Sequence, residues 1–311
     1  MEYITLQNTD LRVSRLCMGG CPMGQYGWGE VQEQELIDAV HAALDCGVNF
    51  FDTADTYGLG TSELTLGKAL GTRRSQAVIA TKFGVRAGSG ETTYDNSPEW
   101  IRTACEGSLK RLGTDYIDLY QVHYRDGKTD IHTVVDTLRQ LQQQGKIRYF
   151  GLSNIKDADL EELKDCVGSF ATVQNQYSLA CRDHEQTILT LQEQLKVTPL
   201  TWGSLGQGIL TGKYDKNATF GSNDRRSRRI YVNFYGDKLL KNLEIVEELK
   251  RIAEAHGKPV SAVAVRFILD YLPDSAVLCG AKRPSQILSN AESMDWHLTE
   301  EEIHRLDSIS R

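Results

Sequence analysis

Three side chains that can hold or move a proton stand where apolar runs of this chain stop. Asp52 follows Val48, Phe50 and Phe51; Lys82 follows Val78-Ile79-Ala80-Thr81; His123 closes the run from Ile117 to Val122. An apolar run that passes through turn residues into an amphipathic segment is the pattern of a buried strand feeding a loop and a helix. A lysine at such a strand end needs a counter-charge, and Asp52 is the acid that an equivalent strand end offers. Tyr57 lies in the loop just beyond Asp52. A cation beside a phenol favours the phenolate and lowers a reference pKa of about 10, which makes the phenol a workable acid near neutrality. Other strand ends are polar as well: Ser153-Asn154, Gln174-Asn175-Gln176 and Trp202. Each residue also has a plain structural reading, with Asp52 and Lys82 as one ion pair, His123 as a satisfied core histidine and Asn154 as a helix cap. The set gains weight from being read together.

Reading the ends together requires a fold that gathers them. The chain alternates strand and helix throughout. Strands are expected at Leu16–Gly19, Val48–Asp52, Ala77–Lys82, Tyr116–His123, Ile147–Ser153, Thr172–Gln174, Thr198–Trp202 and Ala276–Gly280. The helical segments between and after them include Glu33–Leu44, Ser62–Leu70, Pro98–Leu112, Ile131–Gln144, Asp157–Cys166, His184–Leu195, Leu239–His256, Ser261–Tyr271 and Pro284–Ala291. Eight strands each followed by a helix make a (β/α)8 TIM barrel, whose strand C-termini share one mouth. The surplus length fits an N-terminal β-hairpin over Tyr3–Val13, expected to plug one end, and extra helices near the C-terminus. A doubly wound open sheet is the alternative. It is weakened because Gly19-Gly20-Cys21-Pro22 cannot form the Gly-x-Gly-x-x-Gly turn. With no Pro, Gly or Ser-rich linker, residues 1–311 read as a single domain.

Composition narrows the partners. The hydrophobic share of 40 % and charged share of 25 % suit a globular domain with a sizeable core. A net charge of −7 argues against nucleic acid and anionic membranes. Arg225, Arg226, Arg228 and Arg229 are a local exception, read first as a solvated loop, then as a lid over an anionic ligand, and last as an RNA contact. Seven cysteines without paired metal-ligand spacing suit reduced thiols, and no metal is expected. The absence of a leader or a long apolar run leads to the expectation of a cytoplasmic protein.

At this level of detail the chain resembles the aldo-keto reductases over Leu11 to Asp307. The resemblance rests on five ordered motifs: G-V-N-F-F-D-T-A-D-T-Y-G from Gly47, T-K-F from Thr81, D-L-Y-Q-V-H from Asp118, G-L-S-N from Gly151 and G-I-L-T-G-K-Y from Gly208. It implies an NADPH-dependent oxidoreductase that passes a hydride to an aldehyde or ketone. Asp52, Tyr57, Lys82 and His123 match the family's catalytic four, with Tyr57 giving the proton and His123 orienting the carbonyl. Ser153, Asn154 and Gln174 resemble the nicotinamide carboxamide ligands, and Trp202 the aromatic face against the ring. The stretch Gly203, Ser204, Leu205, Gln207, Gly208 to Lys213 resembles the pyrophosphate seat. Gly280, Ala281, Lys282, Arg283, Gln286 and Asn290 resemble the adenosine site, where two cations beside a helix N-terminus point to NADPH over NADH. Ser204 departs from a proline usual in the family, which implies a looser turn, and Gln176 departs from a common glutamate.

The substrate is a small carbonyl compound on this reading, with Met23, Tyr26, Trp28, Tyr124 and Arg125 as candidates for the pocket wall and Arg125 as a partner for a substrate acid. Three other functions compete: a sugar or alcohol dehydrogenase linked to NAD(P), a Schiff-base aldolase using Lys82, and a nicotinamide-binding regulatory subunit with little turnover. Oligomeric state is open, because no heptad stripe commits the chain to a partner.

Overall fold

The computed structural model describes residues 1–88 and 90–311. A hairpin of β1 (Tyr3–Thr5) and β2 (Arg12–Ser14) opens the chain. Eight parallel strands then close into a barrel: β3 (Leu16–Gly19), β4 (Phe50–Asp52), β5 (Val78–Phe83), β8 (Ile117–Val122), β9 (Ile147–Ser153), β10 (Thr172–Gln176), β11 (Thr198–Trp202) and β12 (Ala276–Gly280). Around the ring they follow chain order, with β12 pairing back onto β3. A short antiparallel pair, β6 (Val85–Arg86) and β7 (Thr93–Tyr94), interrupts the numbering above β5 and was not foreseen from the sequence.

Helices α1 (Glu33–Asp45), α2 (Thr61–Leu70), α3 (Pro98–Leu112), α4 (Ile131–Gln143), α5 (Leu160–Leu163), α6 (Glu185–Leu195), α7 (Gly236–His256), α8 (Val260–Tyr271), α9 (Pro284–Ala291) and α10 (Glu300–Ser310) pack around or beside the barrel. Their ends follow local chemistry. Ser97 caps α3 by accepting from Trp100 N, Pro98 takes the first turn, and Gly113 ends the helix in the left-handed region at φ 64°. Asp130 caps α4 in the same way through Thr133 N, and α4 buries Ile131, Val134, Val135, Leu138 and Leu141, a stripe at helical spacing. The segment Asp157–Cys166 differs from expectation. It is α-helical only over α5 and is flanked by 3-10 turns, because Leu163 and Cys166 are its only buried apolar side chains and cannot anchor a full helix.

The barrel interior is filled rather than open. Cys17, Phe50, Ala80, Leu119, Leu200 and Ala276 point inward and meet Leu6, Leu11 and Val13 of the hairpin segment, which closes the N-terminal end of the strands. Chemistry is therefore confined to the opposite end, where the register sets Gly19 beside Asp52, Lys82 beside Gln121 and Gln174 beside Ser153.

Candidate active site

At the C-terminal end of β4, Asp52 is 2 % exposed, and Lys82 near the end of β5 is 0 % exposed. Their charged groups meet at 2.5 Å, and Lys82 Nζ also donates to the Thr53 carbonyl at 2.9 Å. The second carboxylate oxygen of Asp52 accepts from Gln174 Nε2 at 2.8 Å and Gln121 Nε2 at 3.1 Å. A buried ion pair is tolerated only when its remaining lone pairs and protons are satisfied in this way. Gln121 was missed from the sequence, although it lies one turn of the strand pleat before His123 in D-L-Y-Q-V-H.

Tyr57 hangs over this pair, with its hydroxyl 3.5 Å from Lys82 Nζ. Its loop is positioned by a close backbone crossing. A Cβ on Gly58, at φ +61°, would lie 2.1 Å from the Gly24 carbonyl oxygen, so only glycine fits there. The His123 ring lies edge-on to Tyr57 at 5.8 Å and stacks on Tyr124 at 5.0 Å.

The electrostatics correct one expectation. The Tyr57 phenol is pushed well above its ordinary pKa, first by burial and then by the Asp52 carboxylate. The Lys82 charge does not win because it is spent on Asp52 at 2.5 Å. Tyr57 is therefore fully protonated at neutral pH. Burial, with Lys82 second, holds His123 well below the usual histidine range, so its ring is neutral and carries one N–H. His123 Nδ1 is buried without a partner.

These groups stand at one end of a cavity of about 760 Å³ that runs across the barrel mouth. Ser153, Asn154, Gln174 and Trp202 line it, but the structure also gives them partners within the protein. Ser153 Oγ donates to the Gln174 carbonyl, Asn154 Nδ2 donates to the His123 carbonyl at 2.9 Å, and Trp202 Nε1 donates to Asn154 Oδ1 at 3.1 Å. Asn154, at φ 56°, thus clamps the ends of three strands together.

Further along, Gly203, Ser204, Leu205, Gln207, Gly208 and Lys213 line the cavity. The chain takes left-handed φ at Gly203, Gly206, Gln207, Gly208 and Gly212. Ser204 does not loosen its turn: the buried hydroxyl donates to the Thr201 carbonyl at 2.9 Å. At the far end Gly280, Lys282, Gln286 and Asn290 line the cavity, whereas Ala281 is buried beneath it. Arg283 does not join them, because its guanidinium turns outward to Glu35 at 3.1 Å. Lys282 Nζ donates to the Trp28 carbonyl at 2.8 Å.

The loop of arginines is no solvated loop along its whole length. Arg228 and Arg229 are exposed, but Arg225 and Arg226 line the cavity. Arg226 pairs with Asp224 at 2.6 Å and packs over Phe220 at 4.5 Å. Lys282 is held below the usual lysine range by burial and then by Arg226, with Lys213 adding to the effect. Cations crowded in this way are relieved by an anion. That chemistry fits a phosphorylated dinucleotide.

Among the wall candidates, Trp28 and Tyr124 face the cavity. Met23 does not: the 3-10 turn Cys21–Gly24 directs it into the core between barrel and helices, where it is 0 % exposed. Tyr26 is 60 % exposed and lies outside the lining. Arg125 is drawn away by Glu162 at 2.8 Å, the Asn96 side chain and the Thr129 carbonyl.

The model for the aldo/keto reductase family matches residues 15–311. This chain belongs to the aldo/keto reductase family. The aldo-keto reductase YhdN of Bacillus subtilis (strain 168) is 34 % identical over 99 % of this chain and 93 % of its own length. Among solved structures, a glycerol dehydrogenase of Gluconobacter oxydans superimposes with a TM-score of 0.89 at 35 % identity, covering 99 % of this chain and 94 % of that one. An aldo/keto reductase of Klebsiella pneumoniae, solved with NADP and acetate, gives 0.74 at 25 % identity over 98 % of this chain and 94 % of that one. Aldo/keto reductases are oxidoreductases, and the closed parallel barrel is the fold of these relatives. Among the described residues, no helix is long and apolar enough to cross a membrane, and no group of His, Cys, Asp and Glu could hold a metal ion.

Proposed function

We propose that residues 1–311 form one catalytic domain that reduces aldehydes or ketones to alcohols with NADPH. The carrying observation is the chain of contacts from Asp52 through Lys82 to the Tyr57 hydroxyl, set at the end of a cavity whose far wall is cationic. Lys213 and Lys282 would hold the phosphates, with Arg226 beside them on the cavity wall, and Ser153, Asn154, Gln174 and Trp202 the nicotinamide end. NADPH, when bound, supplies a hydride for the carbonyl carbon.

The residues of the chain supply everything else. The neutral His123 donates a hydrogen bond and orients the carbonyl oxygen. Tyr57 gives that oxygen its proton, and a phenol held above its ordinary pKa keeps the proton until a stronger base, the developing alkoxide, takes it. Lys82, 3.5 Å away, steadies the phenolate that is left. Asp52 holds Lys82 charged, and Gln121 and Gln174 hold Asp52 in place.

The resemblance to a glycerol dehydrogenase favours a second direction, in which Tyr57, having first released its own proton to solvent, takes the proton from an alcohol while NADP+ is reduced. The seven free cysteines suit a reducing compartment such as the cytoplasm. Titration with NADPH and then NADH, followed through Trp202 fluorescence, and then loss of NADPH absorbance with a panel of carbonyl compounds, tests the reading. Quenching by NADPH and its consumption by a carbonyl support it. Quenching by neither nucleotide overturns it.

A further inference from the structure

The two adjacent arginines of the mouth loop both lie over the Trp28 ring, Arg225 at 5.5 Å and Arg226 at 5.8 Å, but differ in how far their charges are already engaged. Arg226 is occupied: Asp224 takes its charge at 2.6 Å, and its Nη1 donates to Tyr214 and the Gln207 carbonyl, on the side of the left-handed turn. Arg225 reaches Tyr26 as well. Its guanidinium lies 5.5 Å from the ring centres of both Tyr26 and Trp28, and its Nη2 donates to the Tyr26 carbonyl at 3.2 Å. Trp28 in turn donates to Cys21 Sγ, directly beside the turn that crosses the Tyr57 loop. Arg225 and Tyr57 line the same cavity.

The pose of Arg225 is built rather than incidental. Its backbone N–H donates to the Gly27 carbonyl at 3.0 Å, and Asp224 pairs with Trp28 as an isolated bridge. Gly27, at φ +76°, leaves room for the side chain, since a Cβ there would meet Arg225 Nε at 2.5 Å. Among the described residues no carboxylate lies within 4.0 Å of this guanidinium, in contrast to Arg125, Arg226 and Arg283. A half-buried cation with most of its N–H donors unspent is matched by a carboxylate or a phosphate, both of which accept its forked geometry.

We infer that Arg225 selects carbonyl substrates bearing an anionic group, held beside Trp28 in the cavity that Tyr57 also lines. The inference rests on the reductase reading and names its substrate class. Arg225 takes the part that the sequence alone assigned to Arg125.

Matched pairs of substrates test it: succinic semialdehyde against its methyl ester for the carboxylate, and glycolaldehyde phosphate against glycolaldehyde for the phosphate. The wild-type enzyme should show a kcat/KM ratio on the order of tenfold in favour of the anion in at least one pair, falling as salt is raised. Arg225→Met, which keeps the stem, should bring that ratio near one, and Arg225→Lys should retain part of it. Equal rates within both wild-type pairs would overturn the inference without any variant and leave the reductase reading standing. A preference that survives in Arg225→Met, or a variant that loses NADPH affinity while keeping the ratio, would also overturn it. No reduction of any member by wild-type enzyme with NADPH would instead remove the reading beneath it.

Discussion

Lys82 Nζ is 2.5 Å from Asp52 and 3.5 Å from the Tyr57 hydroxyl, so the lysine charge belongs first to the acid and only second to the phenol. Burial and the Asp52 carboxylate keep the phenol protonated, and a lysine charge already engaged by Asp52 does not offset them.

Replacement of Tyr57 by Phe should cut kcat for aldehyde reduction by at least about 10²-fold, a general-acid loss, while NADPH affinity changes little. Fluorescence titration beside steady-state kinetics reads both quantities. Reduction at more than a tenth of the wild-type rate would remove Tyr57 as the acid.

The buried pair should behave as a unit. Lys82→Met leaves Asp52 without its cation, and Asp52→Asn does the reverse; each should cost about 3–5 kcal/mol of stability. The double variant should cost less than the sum of the two, because neither charge is then stranded. Urea unfolding of the four proteins measures the coupling, and additive losses would mean that the pair does not act across 2.5 Å.

At the other end of the cavity, Lys282 faces inward and Arg283 faces Glu35. Lys282→Ala should therefore weaken NADPH by roughly tenfold or more, the worth of a charge-assisted contact, and NADH much less. Arg283→Ala should change either by under about threefold, as an exposed ion pair does. Equal losses for both nucleotides in Lys282→Ala would take Lys282 away from the 2′-phosphate.

Asp55 contributes a pH dependence. Burial, with Glu63 as a like charge beside it, raises its carboxyl to about 7, and one of its oxygens is buried without a partner. A carboxyl whose folded pKa lies above its unfolded value binds a proton preferentially in the native state between those values. Stability from this group is therefore present at low pH and lost as pH rises from about 4 toward 7. Asp55→Asn should flatten the fall in Tm between pH 5 and pH 8. A variant whose Tm falls as steeply as the wild type's would show that Asp55 is not the titrating group.

The barrel and its mouth were legible because strand ends carry their own signature: an ionisable residue such as Lys82 after four uninterrupted strand residues has few places to go. Pairings across the mouth were less legible. Gln121 reads as an ordinary strand residue until the ring brings it to Asp52. Arg125 looked free because its partner Glu162 belongs to the short helix α5, distant in sequence, and Arg225 looked solvated because only the contact between residues 26–29 and 223–225 draws it inward. The pKa of Tyr57 went the other way for a related reason: a neighbouring cation can be inferred from sequence, whereas the loss of water cannot.

The contact between Gly58 and Gly24 fixes Tyr57 through main chain alone, with no side chain to be exchanged. The cavity that Tyr57 lines is also walled by the side chains of Trp28, Tyr124 and Arg225. A geometry held by main chain is one that mutation can only break, whereas a wall of side chains is one that mutation can tune, so on the proposed reading the mouth loops are the place to begin in redirecting the enzyme toward other carbonyl compounds.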